Sequence, residues 1–185
     1  VLPMGGGLGG GSSNAATTLV ALNALWDLKL GVEELASLGL GLGADVPVFV
    51  RGHSCWAEGV GEAIAPVDLP ERWYVVLVPP CQVGTKEVFD APDLTRASPL
   101  ITMRDFLEGR ARNDCEPVVR RRYPAVAETL DWLGQYGDAR MTGTGACVFA
   151  AFSNEVEART IAALRAPGGG SFVAKGVNIS PLYRG

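Results

Sequence analysis

The chain switches repeatedly between helical and strand-like spacing of its apolar positions. Leu19, Leu22, Leu25 and Trp26 recur at helical spacing, which predicts a helix over 15–28. Ser12 or Ser13 is its expected N-cap and Gly31 its expected stop. A short helix follows from Glu33 to about Leu38, and then a glycine-punctuated loop runs into an apolar segment over 39–50. Residues 54–67 read as a hairpin, with Gly59 and Gly61 supplying the turn. Trp73 to Val78 reads as a short apolar strand that ends at Pro79-Pro80. Residues 85–112 read as helix in pieces, broken at Pro92 and Pro99.

A helix with Val126, Leu130 and Leu133 facing inward is expected within 113–136, split or restarted by Pro124. Strand, glycine turn and strand are expected over 139–152. A helix over 154–165 places Val156, Ile161 and Leu164 inward under an Asn154 cap. Pro167-Gly168-Gly169-Gly170 reads as a loop and 171–177 as a last strand. Strands and helices alternate irregularly, so the fold class expected is α+β rather than a doubly wound parallel sheet. The boundary between two lobes is expected near residues 70–73, giving lobes of 1–71 and 72–185.

Composition narrows this picture. The 185 residues are 48% hydrophobic and 19% charged, enough to bury a core. A net charge of −4 gives no global basic field for nucleic acid. The run Arg120-Arg121-Arg122 is expected on a solvated helix face. Four cysteines at 55, 81, 115 and 147 form no CxxC pair, and with the single histidine, His53, they spell no zinc site. Reduced thiols in a cytoplasmic protein are the simplest account, with Cys147 in the core and His53 on an exposed loop. No apolar run reaches membrane-spanning length.

Chemistry concentrates in three places. The first is Pro3-Met4-Gly5-Gly6-Gly7-Leu8-Gly9-Gly10-Gly11-Ser12-Ser13, which runs straight into the first helix. A loop without Cβ atoms can turn several N–H groups toward one point, and a helix start adds further donors and a partial positive charge. Together they make a seat for phosphate. With no lysine after Gly11, the segment is not a P-loop. Its place at the third residue leads us to expect a longer protein with functional residues ahead of Val1.

The second is Gly43-Ala44-Asp45-Val46-Pro47, where one acid stands among apolar neighbours. Asp45 is either a general base for phosphoryl transfer or the cap of the segment that follows, with Pro47 in its first turn. The third is Thr142-Gly143-Thr144-Gly145, which opens a small-residue turn ending in an apolar strand. It could approach a phosphate, cover the first loop, or be a tight turn that needs glycine for positive φ. Asn113, Asp114 and Lys86 read as capping residues and solvated charge.

These pieces, in this order, resemble the GHMP kinase family. The Pro3–Ser13 loop resembles the family's central ATP-binding motif and Met141–Ala150 its C-terminal glycine motif. The blocks Ala57–Glu62, Asn113–Glu116 and Phe172–Gly176 match one branch more closely, that acting on a cytidine-diphosphate-linked methylerythritol. The resemblance implies transfer of the γ-phosphoryl of ATP, with Mg²⁺, to the 2-hydroxyl of that small molecule, in isoprenoid biosynthesis by the non-mevalonate route. It implies that Pro3, Met4, Gly5, Gly6, Gly7, Leu8, Gly9, Gly10, Gly11, Ser12 and Ser13 wrap the ATP phosphates and that Asp45 is the base. Thr85 would face the substrate, and Thr142, Gly143, Thr144 and Gly145 would lie near the active site. The implied fold is part of a lobe like ribosomal protein S5 domain 2, followed by a ferredoxin-like lobe.

Against that pattern, the half-lobe that carries the family's catalytic lysine and cytidine contacts lies outside this sequence, and neither Lys29 nor Lys86 matches that lysine's motif. The 185 residues alone are therefore expected to be weakly active or inactive. A homoserine or mevalonate type of GHMP kinase, and a non-catalytic nucleotide-binding module, stand as alternatives. No nucleic-acid or membrane partner is expected, and the sequence does not specify an oligomeric state or metal ligands.

Overall fold

A computed structural model describes residues 3, 5–59, 61, 63–164 and 169–183. Its elements in order are α1 (Gly10–Leu25), α2 (Val32–Leu40), α3 (Val46–Arg51), β1 (Cys55–Glu58), β2 (Ala63–Pro66), β3 (Trp73–Val78), α4 (Thr85–Phe89), α5 (Met103–Leu107), α6 (Glu116–Arg122), α7 (Pro124–Leu133), β4 (Arg140–Met141), β5 (Val148–Phe152), α8 (Glu155–Ala163) and β6 (Gly170–Lys175), with a 3₁₀ turn at Pro181–Tyr183. The mixture is α+β. Two compact units emerge, one of 1–8 with 72–176 and the other of 9–71 with 177–185.

The first unit is built on an antiparallel sheet in the order β4-β5-β3-β6. With α6 and α7 between β3 and β4, and α8 between β5 and β6, this is the βαββαβ pattern of a ferredoxin-like unit. Strand alternation sends Val75, Leu77, Val148, Ala150 and Phe152 to one face. There they join Val126, Leu130 and Leu133 of α7 and Ala158 and Ile161 of α8 in a continuous core. Tyr74 and Phe149 project to the other face, with ring centroids 6.0 Å apart.

Pro124 divides α6 from α7 as expected. Tyr123, the residue before it, leaves the helical region at φ −127° and ψ 85°. Asn154 caps α8, its side chain accepting from the Glu157 N–H at 2.9 Å. The expected inward face of that helix is only partly correct: Ile161 is buried, whereas Val156 is 75% exposed and Leu164, just past the helix end, is exposed as well. The loop expected over 167–170 begins outside the described residues, and β6 starts at Gly170.

The second unit packs α1, α2 and α3 around Ala16, Leu35, Ala36, Val46 and Val50. Neither the expected cap nor the expected stop of α1 holds. The helix starts at Gly10, so Ser12 and Ser13 lie within its first turn, and the cap is Gly9 in the left-handed region at φ 65°. Leu25 and Trp26 do not face this core; they are 76% and 62% exposed. The chain leaves α1 through Asp27 and Lys29, both at positive φ, and Gly31 opens α2 rather than closing α1.

A returning segment straps this unit. Asn178 accepts from the Leu69 N–H and donates to the Leu69 carbonyl, both at 2.9 Å. The Tyr183 hydroxyl donates to the Val50 carbonyl. His53, expected on an exposed loop, is half-buried, bridges to Ile179 and lies 3.6 Å from Asp68. The arginine run closes α6 as an ion-paired surface, Arg120 to Asp131 at 2.5 Å and Arg121 to Asp93 at 2.5 Å.

Candidate functional site

The glycine loop is divided between the two units at Leu8 and Gly9. In the first unit, residues 5–8 are clasped by the turn that follows β4. The Ala146 N–H donates to the Gly5 carbonyl at 3.1 Å, and the Cys147 N–H donates to the Gly6 carbonyl at 3.3 Å. The Thr142 hydroxyl lies 2.6 Å from the Gly6 carbonyl oxygen and 3.0 Å from that of Cys147. Two of the three readings open for this turn hold together: it covers the first loop, and it is a tight turn that needs glycine, with Gly143 at φ 46°, Gly145 at φ 95° and the Gly145 N–H donating to the Thr142 carbonyl at 2.6 Å.

Glycine is required at the contact. Gly5 and Gly7 both sit at φ 68°. A Cβ on Gly7 would stand 2.7 Å from Thr142 Oγ1 and 2.9 Å from the Gly145 carbonyl oxygen. A Cβ on Gly6 would stand 2.8 Å from Cys147 Sγ. That thiol is fully buried, and burial pushes its pKa up to about 11. It is a packing group with no anionic role at neutral pH.

The turn is itself held from behind. Asn113 Nδ2 donates to the carbonyls of Met141 at 3.1 Å and Gly143 at 2.7 Å. Asn113 Oδ1 accepts from the Cys115 N–H at 3.0 Å. Read from sequence as a cap, Asn113 also ties α6 to the glycine turn. Nothing in its local sequence announces partners 28 and 30 residues away. Thr85 at the start of α4 comes 3.1 Å from Thr144, hydroxyl to hydroxyl. Pro3 and residues 5–8, Thr85 and the Thr142–Gly145 turn are thus parts of one unit; Met4 lies outside the described residues.

Residues 9–13 and Asp45 belong to the other unit. The first turn of α1 leaves its leading N–H groups without intrahelical acceptors; the ladder begins with Ser13 N–H to the Gly9 carbonyl at 2.8 Å. No side chain caps that end, and no acidic residue stands in its first turn. A Cβ on Gly11 would meet nothing within 4 Å. Helix α3 packs beside this end: a Cβ on Gly9 would stand 2.9 Å from the Phe49 ring, and one on Gly43 3.9 Å from Ser12 Oγ.

Asp45 occupies the N-cap position of α3 with Pro47 in the first turn, yet its side chain makes no capping hydrogen bond. The carboxylate is exposed. Of the two sequence readings of Asp45, the capping one is met only in position: it stands at the start of α3 without a capping bond from its side chain. Among the described residues, no three His, Cys, Asp or Glu side chains cluster as a metal site. Nor is any described helix long and apolar enough to cross a membrane.

Comparison with known proteins identifies the family. The GHMP kinases N terminal domain model matches residues 1–53, and the GHMP kinases C terminal model matches residues 93–170. The 4-diphosphocytidyl-2-C-methyl-D-erythritol kinase of Marinobacter nauticus is 58% identical over 99% of this chain, which spans 65% of that relative. The protein of the same name from Tolumonas auensis is 58% identical over 98% of the chain, which spans 64% of it. A crystal structure of 4-(cytidine 5'-diphospho)-2C-methyl-D-erythritol kinase superposes with a TM-score of 0.81 at 33% identity, covering 94% of this chain and 67% of that one. A homoserine kinase from Cytophaga hutchinsonii shares the fold, at a TM-score of 0.60 and 17% identity, covering 97% of this chain and 68% of that one. The two matched domains and the end-to-end identity have one meaning: this chain belongs to the GHMP kinase family.

Proposed function

We propose that the whole protein transfers the γ-phosphoryl group of ATP to the 2-hydroxyl of 4-diphosphocytidyl-2-C-methyl-D-erythritol, in the cytoplasm, on the non-mevalonate route to isoprenoids. The observation that carries this reading is the 58% identity, along essentially the whole chain, to kinases named for that substrate. The chain spans 64–65% of those relatives' lengths, so the proposal concerns the protein of which these residues form a part.

In this reading, residues 3–13 hold the triphosphate. The amides at the start of α1 supply donors and the positive end of the helix dipole. The Thr142–Gly145 turn fixes the glycine backbone before ATP arrives, and Thr85 borders the acceptor through its contact with Thr144. Asp45 takes the proton of the 2-hydroxyl as that oxygen attacks the γ-phosphorus; the bond from phosphorus to the β,γ-bridging oxygen breaks and ADP leaves. A carboxylate not committed to capping is available for that role. Mg²⁺ bound to the nucleotide would neutralise the developing phosphate charge. By sequence order we assign residues 1–71 to the ATP-binding lobe and 72–185 to the C-terminal lobe, although residues 1–8 cluster with 72–176 and residues 177–185 with 9–71.

The test is a competition assay on the complete protein with ATP and three acceptors: the cytidine-diphosphate-linked methylerythritol, homoserine and mevalonate. Phosphorylation of the first at its 2-hydroxyl, read by phosphorus NMR, is expected. Preference for either other alcohol overturns the substrate assignment, and ATP binding without transfer to any of the three points to a non-catalytic module.

A further inference from the structure

We propose that Asn113 is a positioning residue for the phosphate loop, acting on bound nucleotide through the glycine turn; this rests on the kinase reading above. Its amide nitrogen donates on both sides of Thr142, to Met141 at 3.1 Å and Gly143 at 2.7 Å. That fixes the carbonyl groups of the two residues flanking Thr142 relative to each other. Thr142 in turn holds the Gly6 carbonyl at 2.6 Å. The Asn113 carbonyl oxygen is engaged by the Cys115 N–H at 3.0 Å, which anchors the side chain to the start of α6. Three of the side chain's four hydrogen-bonding positions are thus in use. A contiguous path of hydrogen bonds runs from α6 to the backbone that would cradle the phosphates, all within one unit.

The surroundings separate positioning from bulk packing. Asn113, Met141 and Phe149 line an open cavity of about 520 Å³, together with Phe106 and Arg112. Truncating Asn113 enlarges this open space and seals no void, so the loss is mainly the three hydrogen bonds. Phosphoryl transfer depends on placement, and a loop displaced by a fraction of an ångström loses nucleotide affinity before the fold is lost.

Asn113→Asp and Asn113→Ala in the complete protein test this. Aspartate keeps the shape but cannot donate to either carbonyl. Asn178→Ala is the comparator, since its side chain holds Leu69 in the other unit. Binding of a non-hydrolysable ATP analogue is measured by calorimetry beside kcat and both KM values. Expected for each Asn113 variant is a rise of about fivefold or more in the analogue's Kd and in KM for ATP, with KM for the alcohol changed less than about twofold. Asn178→Ala is expected to lower Tm while leaving both nucleotide constants unchanged. A double-mutant cycle of Asn113→Ala with Thr142→Val is expected to be non-additive in analogue Kd, because both act through one turn. Unchanged analogue Kd in both Asn113 variants of an active protein overturns the inference and leaves the kinase reading standing. An unsubstituted protein that neither binds the analogue nor transfers phosphate overturns both.

Discussion

The Thr142 hydroxyl reaches the carbonyl oxygen of Gly6 at 2.6 Å across 136 positions of sequence. It joins the chain's first glycine motif to its second. The same hydroxyl lies 3.0 Å from the Cys147 carbonyl, so one side chain closes the turn and fastens the loop. The link also explains why the two motifs act as one structural feature despite their separation. A backbone held in this way needs little reorganisation when a phosphate arrives.

Thr142→Val removes that donor while keeping the branched shape. The expected loss is about 1 kcal/mol of stability, since the Gly6 carbonyl keeps its second partner, the Cys147 N–H. Thr142→Ser keeps the hydroxyl and is expected to retain most of the effect. Urea unfolding of the complete protein measures the stability difference, and KM for ATP should rise in the valine variant alone.

Gly5 and Gly7 provide a matched pair at the same φ of 68°. Alanine at Gly5 meets nothing within 4 Å and carries only the left-handed penalty of about 1–2 kcal/mol. Alanine at Gly7 carries that penalty and also presses on Thr142 and the backbone of Gly145, which do not give. Calorimetry with an ATP analogue should show Gly7→Ala weakening binding by about tenfold or more, and Gly5→Ala weakening it much less.

Cys147 sets a pH dependence. Burial raises its pKa from 9.0 to about 11. Between those values the unfolded chain releases the thiol proton and the folded chain retains it. Its contribution to stability is therefore fully present below about pH 9 and is lost as pH rises toward about 11. Unfolding midpoints from pH 8 to 11 should fall less steeply in Cys147→Ala than in the unsubstituted protein. The folded protein should also alkylate at Cys147 more slowly than at Cys55, Cys81 or Cys115, which are only half-buried.

Much of the fold was legible because its signals are local. Trp73 to Val78 is a run of apolar residues ended by two prolines, and Pro124 forces Tyr123 out of the helix. The start of α1 was not legible. Three glycines and two serines over 9–13 have weak helix propensity, yet the helix begins there after a left-handed Gly9. Exposure of Leu25 and Trp26 was hidden for a related reason: apolar spacing marks a face but does not say which face is covered. In the candidate site, the glycine loop and Asp45 stand out because their chemistry is unusual for their neighbours. Asn113 does not, since an asparagine ahead of a helix is an ordinary cap and its distant carbonyl partners leave no mark in sequence.

Asp45→Asn in the complete protein tests the central claim most directly. The substitution keeps size and shape, and the Asp45 side chain makes no capping bond whose loss would disturb α3. Single-turnover transfer from ATP to the cytidine-diphosphate-linked methylerythritol is the quantity to measure, beside ATP affinity. The expected result is a rate lower by about 10²–10⁴-fold, with ATP affinity changed less than about twofold. Transfer at an undiminished rate would contradict the assignment of Asp45 as the base.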